Sequence, residues 1–253
     1  MLGKTKIIFA LTTIICLLII IVNNKSYSYY KKPDYSLKEG IVSINFDDNF
    51  LSVYENALPI LDKAGFKSSQ YVITGYMGKK GYMSKEQILE MYHDGHEIGP
   101  HTRNHSRLAE LNESQMREEI IGSKVDLKNI GIDSKTFAYP YGSFNELAKK
   151  IVMENGYVGA RITQPLLNDK SSDRFLLKRQ RVELVTSFDE VKSSIDKAIN
   201  EKKWLILVFH KIDNSGEAIS ISKELFEKIV SYLEEKKVPV VTNEQAIALI
   251  SQK

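Results

Sequence analysis

The sequence of 253 residues has little cysteine and no block of charge of one sign. Its single cysteine, Cys16, excludes an internal disulfide and a cysteine-based metal site. The 35 lysines and arginines nearly balance the 32 aspartates and glutamates, so the net charge is only +3. Because both signs are interspersed, nothing indicates a nucleic-acid-binding protein. With 43% hydrophobic and 26% charged residues, the chain can bury a full core and is not disordered.

The one long apolar run is at the N-terminus. Residues 7–22 carry no charge and follow Lys4 and Lys6, the layout of a secretory signal or a signal anchor. The run is short for a membrane span, which needs about 20 residues, but no Ala-x-Ala cleavage site follows it. We therefore expect an exported protein, either anchored in the membrane with an extracellular domain or secreted after signal cleavage. Residues 1–37 would form a cytoplasmic tip, the hydrophobic segment and a tether, and residues 38–253 the domain.

From Gly40 onwards, strand-like and helix-like segments alternate. Capping boxes at Ser84, Ser187 and Thr242 mark the starts of three helices, and Ser143 with Glu146 predicts a fourth. The predicted strands are 41–46, 70–73, a short one at 98, 136–138, 158–161, 178–184, 205–209 and 238–241. Strands that are each followed by a helix pair in parallel, which predicts one α/β domain, built as a barrel or a doubly wound sheet.

Candidate functional residues follow the first strand. In parallel α/β folds the working residues gather at the carboxyl ends of strands. The first strand ends in Asp47 and Asp48, and two adjacent buried carboxylates carry a large desolvation cost unless a cation accompanies them. A metal would resolve this cost. Taken alone, however, the same letters are typical of an acidic turn.

A histidine-rich stretch follows the strand at residue 98. Three of the five histidines fall within residues 95–105, and His101 and His105 stand four apart. That separation places two imidazoles on one side of a helical turn, an arrangement that suits a divalent metal such as Zn²⁺. A metal site needs a third ligand from elsewhere in the chain, and without one the pair is equally typical of surface or capping histidines.

Taken together, NFDD at residues 45–48 and HTRNH at residues 101–105 resemble the first two motifs of the polysaccharide deacetylases, carbohydrate esterase family 4 with the NodB homology domain. The resemblance continues with FAYPYG at residues 137–142 and LVFH at residues 207–210, in the family's order. It covers roughly residues 38–250. The family fold is a distorted (β/α) barrel of about seven strands, so the resemblance implies this architecture after the N-terminal segment.

The resemblance also implies a role for each matching residue. The implied metal ligands are Asp48, His101 and His105, with Zn²⁺ as the default and Co²⁺, Ni²⁺ or Mn²⁺ as alternatives. Asp47 matches the general base that activates the attacking water, and His210 matches the general acid that protonates the leaving amine. Tyr141 matches the residue whose backbone N–H helps to hold the oxyanion.

The departure from the family pattern that bears on the base lies in the third motif. Ala138 stands where the third motif usually carries an arginine that contacts the base, here Asp47. Arg179 and Arg181, on the strand predicted at 178–184, are candidates to supply the missing guanidinium. We favour Arg179, because it matches a strand-end arginine of relatives that share the Phe-Ala-Tyr-Pro pattern.

The resemblance implies a metal-dependent hydrolase that removes N-acetyl groups from an extracellular polysaccharide containing N-acetylglucosamine and releases acetate. Peptidoglycan, poly-N-acetylglucosamine and chitin-like polymers all fit. An O-acetyl esterase acting on an acetylated polysaccharide is the enzymatic alternative, and a catalytically inactive carbohydrate-binding relative is the alternative from another class. The expected partners are the acetylated polysaccharide and, through the N-terminal segment, the membrane. We expect no nucleic acid and no obligate protein partner.

Overall fold

The computed structural model describes residues 39–251. The hydrophobic segment predicted at residues 7–22 lies outside that part of the chain. Within it, no helix is both long and apolar enough to cross a bilayer. The strands are β1 (Ile41–Asp47), β2 (Ser69–Val72), β3 (Glu97–Pro100), β4 (Thr136–Ala138), β5 (Gly159–Arg161), β6 (Gln180–Arg181), β7 (Trp204–Phe209), β8 (Lys211–Ile212) and β9 (Ser220–Ile221). The α-helices are α1 (Leu58–Ala64), α2 (Lys85–His93), α3 (Glu113–Asn129), α4 (Glu146–Glu154), α5 (Phe188–Glu201), α6 (Lys223–Glu235) and α7 (Asn243–Ile250).

The strand ladders are all parallel, which confirms the α/β class. Five strands form a sheet in the order β3-β2-β1-β7-β6, while β4 pairs with β5 and β8 with β9. A bridge between Arg161 and Leu177 connects the end of β5 to the segment that leads into β6. Between residues 39 and 251, no ladder joins β3 to β4. The hydrogen-bonded strands therefore do not form one continuous closed sheet.

Side chains connect β3 to β4 where the ladder is missing. A β-carbon on Gly99 would lie 2.7 Å from the carbonyl oxygen of Thr136 and 2.8 Å from the ring of Tyr71, so only glycine permits this approach. The buried carboxylate of Glu97 accepts hydrogen bonds from the hydroxyls of Thr136 on β4 and Ser69 on β2. The two sheets thus meet through polar side chains instead of backbone pairs.

The central strands β1 and β7 place their last residues at the functional edge of the sheet. On β1, Phe46 packs in the apolar core beneath α6, where it contacts the rings of Phe209 and Phe226. Since side chains alternate along a strand, Asp47 faces the opposite side. The register pairs Phe46 with Phe209. The residues that follow this pair, Asp47 at the end of β1 and His210 just after β7, therefore meet at the carboxyl edge.

Several elements differ from the prediction. The strand predicted at 238–241 is reduced to one bridge between Val42 and Val240, and that predicted at 178–184 to the two residues of β6. Helix α4 is capped by Asn145 instead of Ser143, because the Asn145 side chain accepts a hydrogen bond from the N–H of Ala148. Helix α6 was not predicted. The capping boxes at residues 84, 187 and 242 are confirmed.

Candidate active site and metal centre

One cavity of about 730 Å³ opens at the carboxyl ends of the central strands. Its volume is within the range of small-molecule pockets, about 300–1,000 Å³. All the site residues predicted from the sequence line it: Asp47, Asp48, His101, His105, Tyr141, Arg179 and His210. Residues that are up to 163 positions apart along the chain thus line the same cavity, as expected at the carboxyl ends of parallel strands.

Asp48, His101 and His105 form a group that could hold a metal ion. Their ligand atoms all lie within 4.8 Å of one another. The Oδ1 atom of Asp48 is 3.7 Å from Nε2 of His101 and 3.3 Å from Nε2 of His105. Two ligands at about 2.1 Å from a tetrahedral Zn²⁺ are about 3.4 Å apart, so these separations fit. The same Oδ1 atom is buried without a hydrogen-bond partner, as expected for an atom that a cation would satisfy.

The charge states of these three residues favour a cation. Burial, and then the neighbouring Asp47 carboxylate, raise the pKa of Asp48 to about 7. A cation beside Asp48 would therefore offset the free-energy cost of ionising this buried carboxyl group. Burial lowers the pKa of His101 to about 3 and also lowers the pKa of His105. Both imidazoles are therefore neutral at physiological pH, the form that binds metals.

The surrounding structure orients His101. Its Nδ1 lies 2.8 Å from the carbonyl oxygen of Ala138, and a carbonyl can only accept, so Nδ1 carries the proton. The Nε2 lone pair is thereby directed to Asp48 and the cavity. Ala138 is the position where the sequence departs from the family motif. Its backbone supports the metal group although its side chain cannot supply the guanidinium.

The segment that carries His101 and His105 is a loop, which corrects the expected helical turn. Thr102 and His105 both have positive φ, 64° and 60°, and these bends bring the two imidazoles together. Glu119 of α3 holds the loop by accepting hydrogen bonds from the N–H groups of Arg103 and Asn104, each at 2.9 Å. Strained backbone of this kind persists only where neighbouring contacts fix it.

Asp47 is held by a guanidinium, but not by the one predicted. Arg161, at the end of β5, donates a hydrogen bond through Nη2 to Oδ1 of Asp47, and both side chains are almost fully buried. Although burial alone would raise the pKa of Asp47, the charge of Arg161, with His101 and His210, holds it well below its usual range. The aspartate is therefore ionised. The ring of Tyr71 lies 5.0 Å from the Arg161 guanidinium carbon and supports it.

Arg161 was not predicted from the sequence, and Arg179 does not make the contact predicted for it. Arg179 is buried on the cavity wall, and the ion pairs of residues 39–251 do not join it to Asp47. Arg181 pairs with Glu183. The signal for Arg161 was present, because an arginine that ends a short apolar strand obeys the same strand-end rule that selected Asp47.

His210 and Tyr141 complete the lining of the cavity beside the metal group. Nε2 of His210 lies 4.0 Å from Oδ2 of Asp47. Burial lowers the pKa of His210 to about 4, and the Asp47 carboxylate opposes that shift. Tyr141 has φ 57°, and its half-exposed ring packs 4.5 Å from the ring of His105 and 4.1 Å from the guanidinium carbon of Arg107.

Comparison with known proteins identifies the family. The family model for polysaccharide deacetylase matches residues 34–160, about half of the chain. The chain belongs to the polysaccharide deacetylase family. A poly-β-1,6-N-acetyl-D-glucosamine N-deacetylase of Staphylococcus aureus is 32% identical over 168 residues, which cover 60% of this chain and 58% of that protein. The chain spans just over half the length of the curated relatives it matches.

Solved structures give the same family and fold. The Streptococcus pyogenes deacetylase PplD, determined with acetate, is 26% identical, with a TM-score of 0.57 over 60% of this chain and 69% of that one. A Mycobacterium smegmatis protein named for the same family superposes with a TM-score of 0.65 over 83% of this chain and 89% of that one, at 15% identity. The second likeness concerns the fold alone, and it extends the agreement beyond residue 160 to most of this deacetylase-family domain.

Proposed function

We propose that this protein is a metal-dependent hydrolase that removes N-acetyl groups from an extracellular polysaccharide containing N-acetylglucosamine and releases acetate. One observation carries the proposal. A single cavity is lined both by the Asp48, His101 and His105 group and by Asp47 and His210. A purely carbohydrate-binding site has no need for an acid and a base beside a metal group.

Asp47 serves as the general base. Arg161 occupies Oδ1, which leaves Oδ2 directed into the cavity, where a water beside the acetyl carbon would be deprotonated. The low pKa that Arg161 imposes makes Asp47 a weak base on its own. A divalent metal, with Zn²⁺ as our choice, would be held by Asp48, His101 and His105, would acidify the attacking water and would stabilise negative charge on the acetyl oxygen.

His210 serves as the general acid. An amine leaves a tetrahedral intermediate poorly unless it is protonated, so amide hydrolysis needs a proton donor close to the base. Nε2 of His210 lies 4.0 Å from Oδ2 of Asp47, too far for a direct hydrogen bond but close enough for both groups to act on one substrate. Asp47 would take a proton from the attacking water, and the protonated imidazole, which the Asp47 carboxylate favours, would give its proton to the leaving nitrogen. The Tyr141 backbone N–H, on the bend with φ 57°, would donate to the oxyanion.

The proposal also includes the cellular location of the protein and the barrel architecture of its domain. The polymer that such an enzyme acts on is extracellular, so we infer export through residues 1–37, with the catalytic domain at residues 38–253. We also retain the distorted barrel. The bridge from Arg161 to Leu177 and the close approach at Gly99 support it, because both link the β4–β5 pair to the larger sheet.

Acetate release from a panel of polymers tests this function. We expect the purified protein to release acetate from poly-β-1,6-N-acetylglucosamine, peptidoglycan or chitin oligomers, to lose this activity in a chelator and to regain it with Zn²⁺ or Co²⁺. Elemental analysis should find His105→Ala depleted of metal. Undiminished turnover after verified metal removal would refute the metal's role. Release from O-acetylated xylan alone would favour the esterase alternative.

A further inference from the structure

Arg179 is a buried cation without a direct ion pair among residues 39–251, although the Asp47 and Glu183 carboxylates favour its charged form. Its side chain lines the cavity, and only 6% of the residue is exposed. The Nε atom is buried without a hydrogen-bond partner, and no carboxylate among residues 39–251 forms an ion pair with this guanidinium. Burial lowers the pKa of Arg179 to about 10, so it is still charged at neutral pH. A buried charge without a counter-ion is costly.

The acidic groups near Arg179 are already engaged. Asp47 is paired with Arg161, and Asp48 belongs to the metal group. Arg181, the next arginine on the wall, is paired with Glu183. Asp47 and Asp48 are the only acids among the lining residues, against three arginines at positions 107, 179 and 181. Of these three arginines, Arg107 and Arg179 form no ion pair among the described residues, so they leave positive charge on the cavity wall.

The backbone holds Arg179 in a fixed position. Its N–H donates to the carbonyl oxygen of Gln164 at 2.9 Å. One residue earlier, Lys178 exchanges two hydrogen bonds with the fully buried side chain of Asn168, at 2.8 and 2.9 Å. A guanidinium on a rigid segment loses little conformational entropy when it binds a ligand, so it is suited to recognition.

We propose that Arg179 forms a subsite for an anionic group of the substrate, a carboxylate or a phosphate carried by the acetylated sugar or by its neighbour. Guanidinium N–H groups match either oxyanion, and such a ligand would supply the missing counter-charge. This inference rests on the proposed function. It narrows the substrate class from any N-acetylated polymer to an acidic glycan.

Three matched oligosaccharides test the subsite. They are an N-acetylglucosamine tetramer, the same tetramer with lactyl-ether carboxylates on alternate sugars, and the same tetramer with 6-phosphates. We expect wild-type kcat/KM to be at least about tenfold higher for one acidic tetramer than for the neutral one, mainly through a lower KM. Arg179→Gln should collapse this preference to about twofold or less, and Arg179→Lys should retain part of it. Arg174→Gln, an exposed arginine that does not line the cavity, should keep the full preference.

A binding measurement separates the subsite from catalysis. In chelator-treated protein, where a sugar carboxylate has no metal to bind, calorimetry should detect tighter binding of N-acetylmuramic acid than of N-acetylglucosamine, and Arg179→Gln should abolish the difference. If no tetramer is deacetylated but this difference is found, the subsite stands and the proposed function fails.

Three results would overturn the subsite. They are equal kcat/KM for all the tetramers, an acidic preference that survives in Arg179→Gln, and an equal loss of kcat on every tetramer in a variant whose melting curve is normal. The last result would support the role first predicted for Arg179, in which its guanidinium orients the general base Asp47.

Discussion

The ion pair of Arg161 and Asp47 sets the charge of the proposed base. Both side chains are almost inaccessible, at 1% and 3% exposure, so neither charge is screened by water. Removing one partner of such a pair leaves an uncompensated buried charge. The chemistry and the stability of this domain therefore depend on the same contact.

Substitution of Arg161 should affect both properties. We expect Arg161→Gln to lower the free energy of unfolding by about 3–5 kcal/mol and kcat by about 10–10³-fold, because Asp47 loses its orientation and the positive charge that keeps it ionised. Urea unfolding and acetate release measure the two effects, and Arg174→Gln is the control. In the double variant with Asp47→Asn, the stability loss should be smaller than the sum of the single losses, since both charges are gone. Additive losses would show that the two side chains are not coupled.

His210 should matter most when the leaving group is poor. An amine must be protonated to leave, whereas an activated phenolate leaves unaided. We therefore expect His210→Ala to lose about 10²–10⁴-fold of its activity on an N-acetylated sugar and far less on an activated aryl acetate. Asp47→Asn should impair both reactions. Parallel losses on the two substrates, with a lowered melting temperature, would instead assign His210 a structural role at the end of β7.

The sequence predicted the residues that carry recognisable motifs but not their electrostatic partner. Asp47, Asp48 and the two histidines lie in motifs whose spacing is informative. Arg161 lies in a strand of three residues between small and apolar neighbours, so its local pattern is weak. Its place at a strand end was the only local signal, and its pairing with Asp47 is visible only when the ends of β1 and β5 are brought together in space.

Among the structural elements, the loops that follow the strands contain most of the strained, left-handed backbone. Among residues 39–251, seven non-glycine residues have positive φ, and five of them lie at or next to the site: Asp48, Asn49, Thr102, His105 and Tyr141. A left-handed conformation costs about 1–2 kcal/mol per residue, and neighbouring contacts must stabilise it. The side chain of Asn49, for example, accepts a hydrogen bond from the N–H of Ile73 at 2.9 Å.

Substitution of Gly142 tests whether activity depends on the position of the loop that carries Tyr141. Its φ is +67°, and an added β-carbon would lie 2.3 Å from Oγ1 and 2.9 Å from the backbone nitrogen of Thr163. Gly216 has a similar φ of +71°, with open space around it. Both Gly→Ala changes should cost about 1–2 kcal/mol of stability from backbone strain. Only Gly142→Ala should also reduce kcat, by about tenfold or more, because the loop is displaced. Equal kcat values in the two variants would contradict a positioning role.

Helices were predictable where a short sequence motif, such as a capping box, determines where the helix begins. The capping boxes depend on residues three apart and were read correctly, whereas α6 was missed although Phe226, Ile229, Val230 and Leu233 have helical spacing. The strand predicted at 238–241 contains apolar residues that the core buries without a ladder. Burial alone does not distinguish a strand from an extended segment.

At the scale of the whole molecule, the parallel α/β class was predictable and the closure of the sheet was not. The alternation of strands and helices requires parallel pairing. The junction between β3 and β4 depends on two residues: Gly99, whose lack of a side chain permits close approach, and Glu97, whose carboxylate bridges the strands. Such contacts join residues that are distant in sequence, so no local sequence pattern predicts them.

Glu97 makes this bridge sensitive to pH. It accepts hydrogen bonds from the hydroxyls of Ser69 and Thr136 and from the N–H of Glu244 at the start of α7. Burial raises the pKa of Glu97 in the folded protein, and its hydrogen bonds only partly oppose that shift. The folded state therefore binds this proton more tightly than the unfolded state does. The resulting stability is fully present below the unfolded pKa, about 4.3, and is lost as the pH rises through the folded pKa.

Comparing wild type with Glu97→Gln isolates this effect. Glutamine keeps the shape and carries no charge, and any change in hydrogen bonding adds an offset that does not depend on pH. We expect the free energy of unfolding of the wild type, minus that of the variant, to fall as the pH rises above about 4.3, by at most about 1.4 kcal/mol per pH unit. Urea unfolding at a series of pH values, with both proteins in the same metal state, gives this difference directly. A difference that stays constant with pH would mean that the pKa of Glu97 is the same folded and unfolded, and that burial between the two sheets does not shift it.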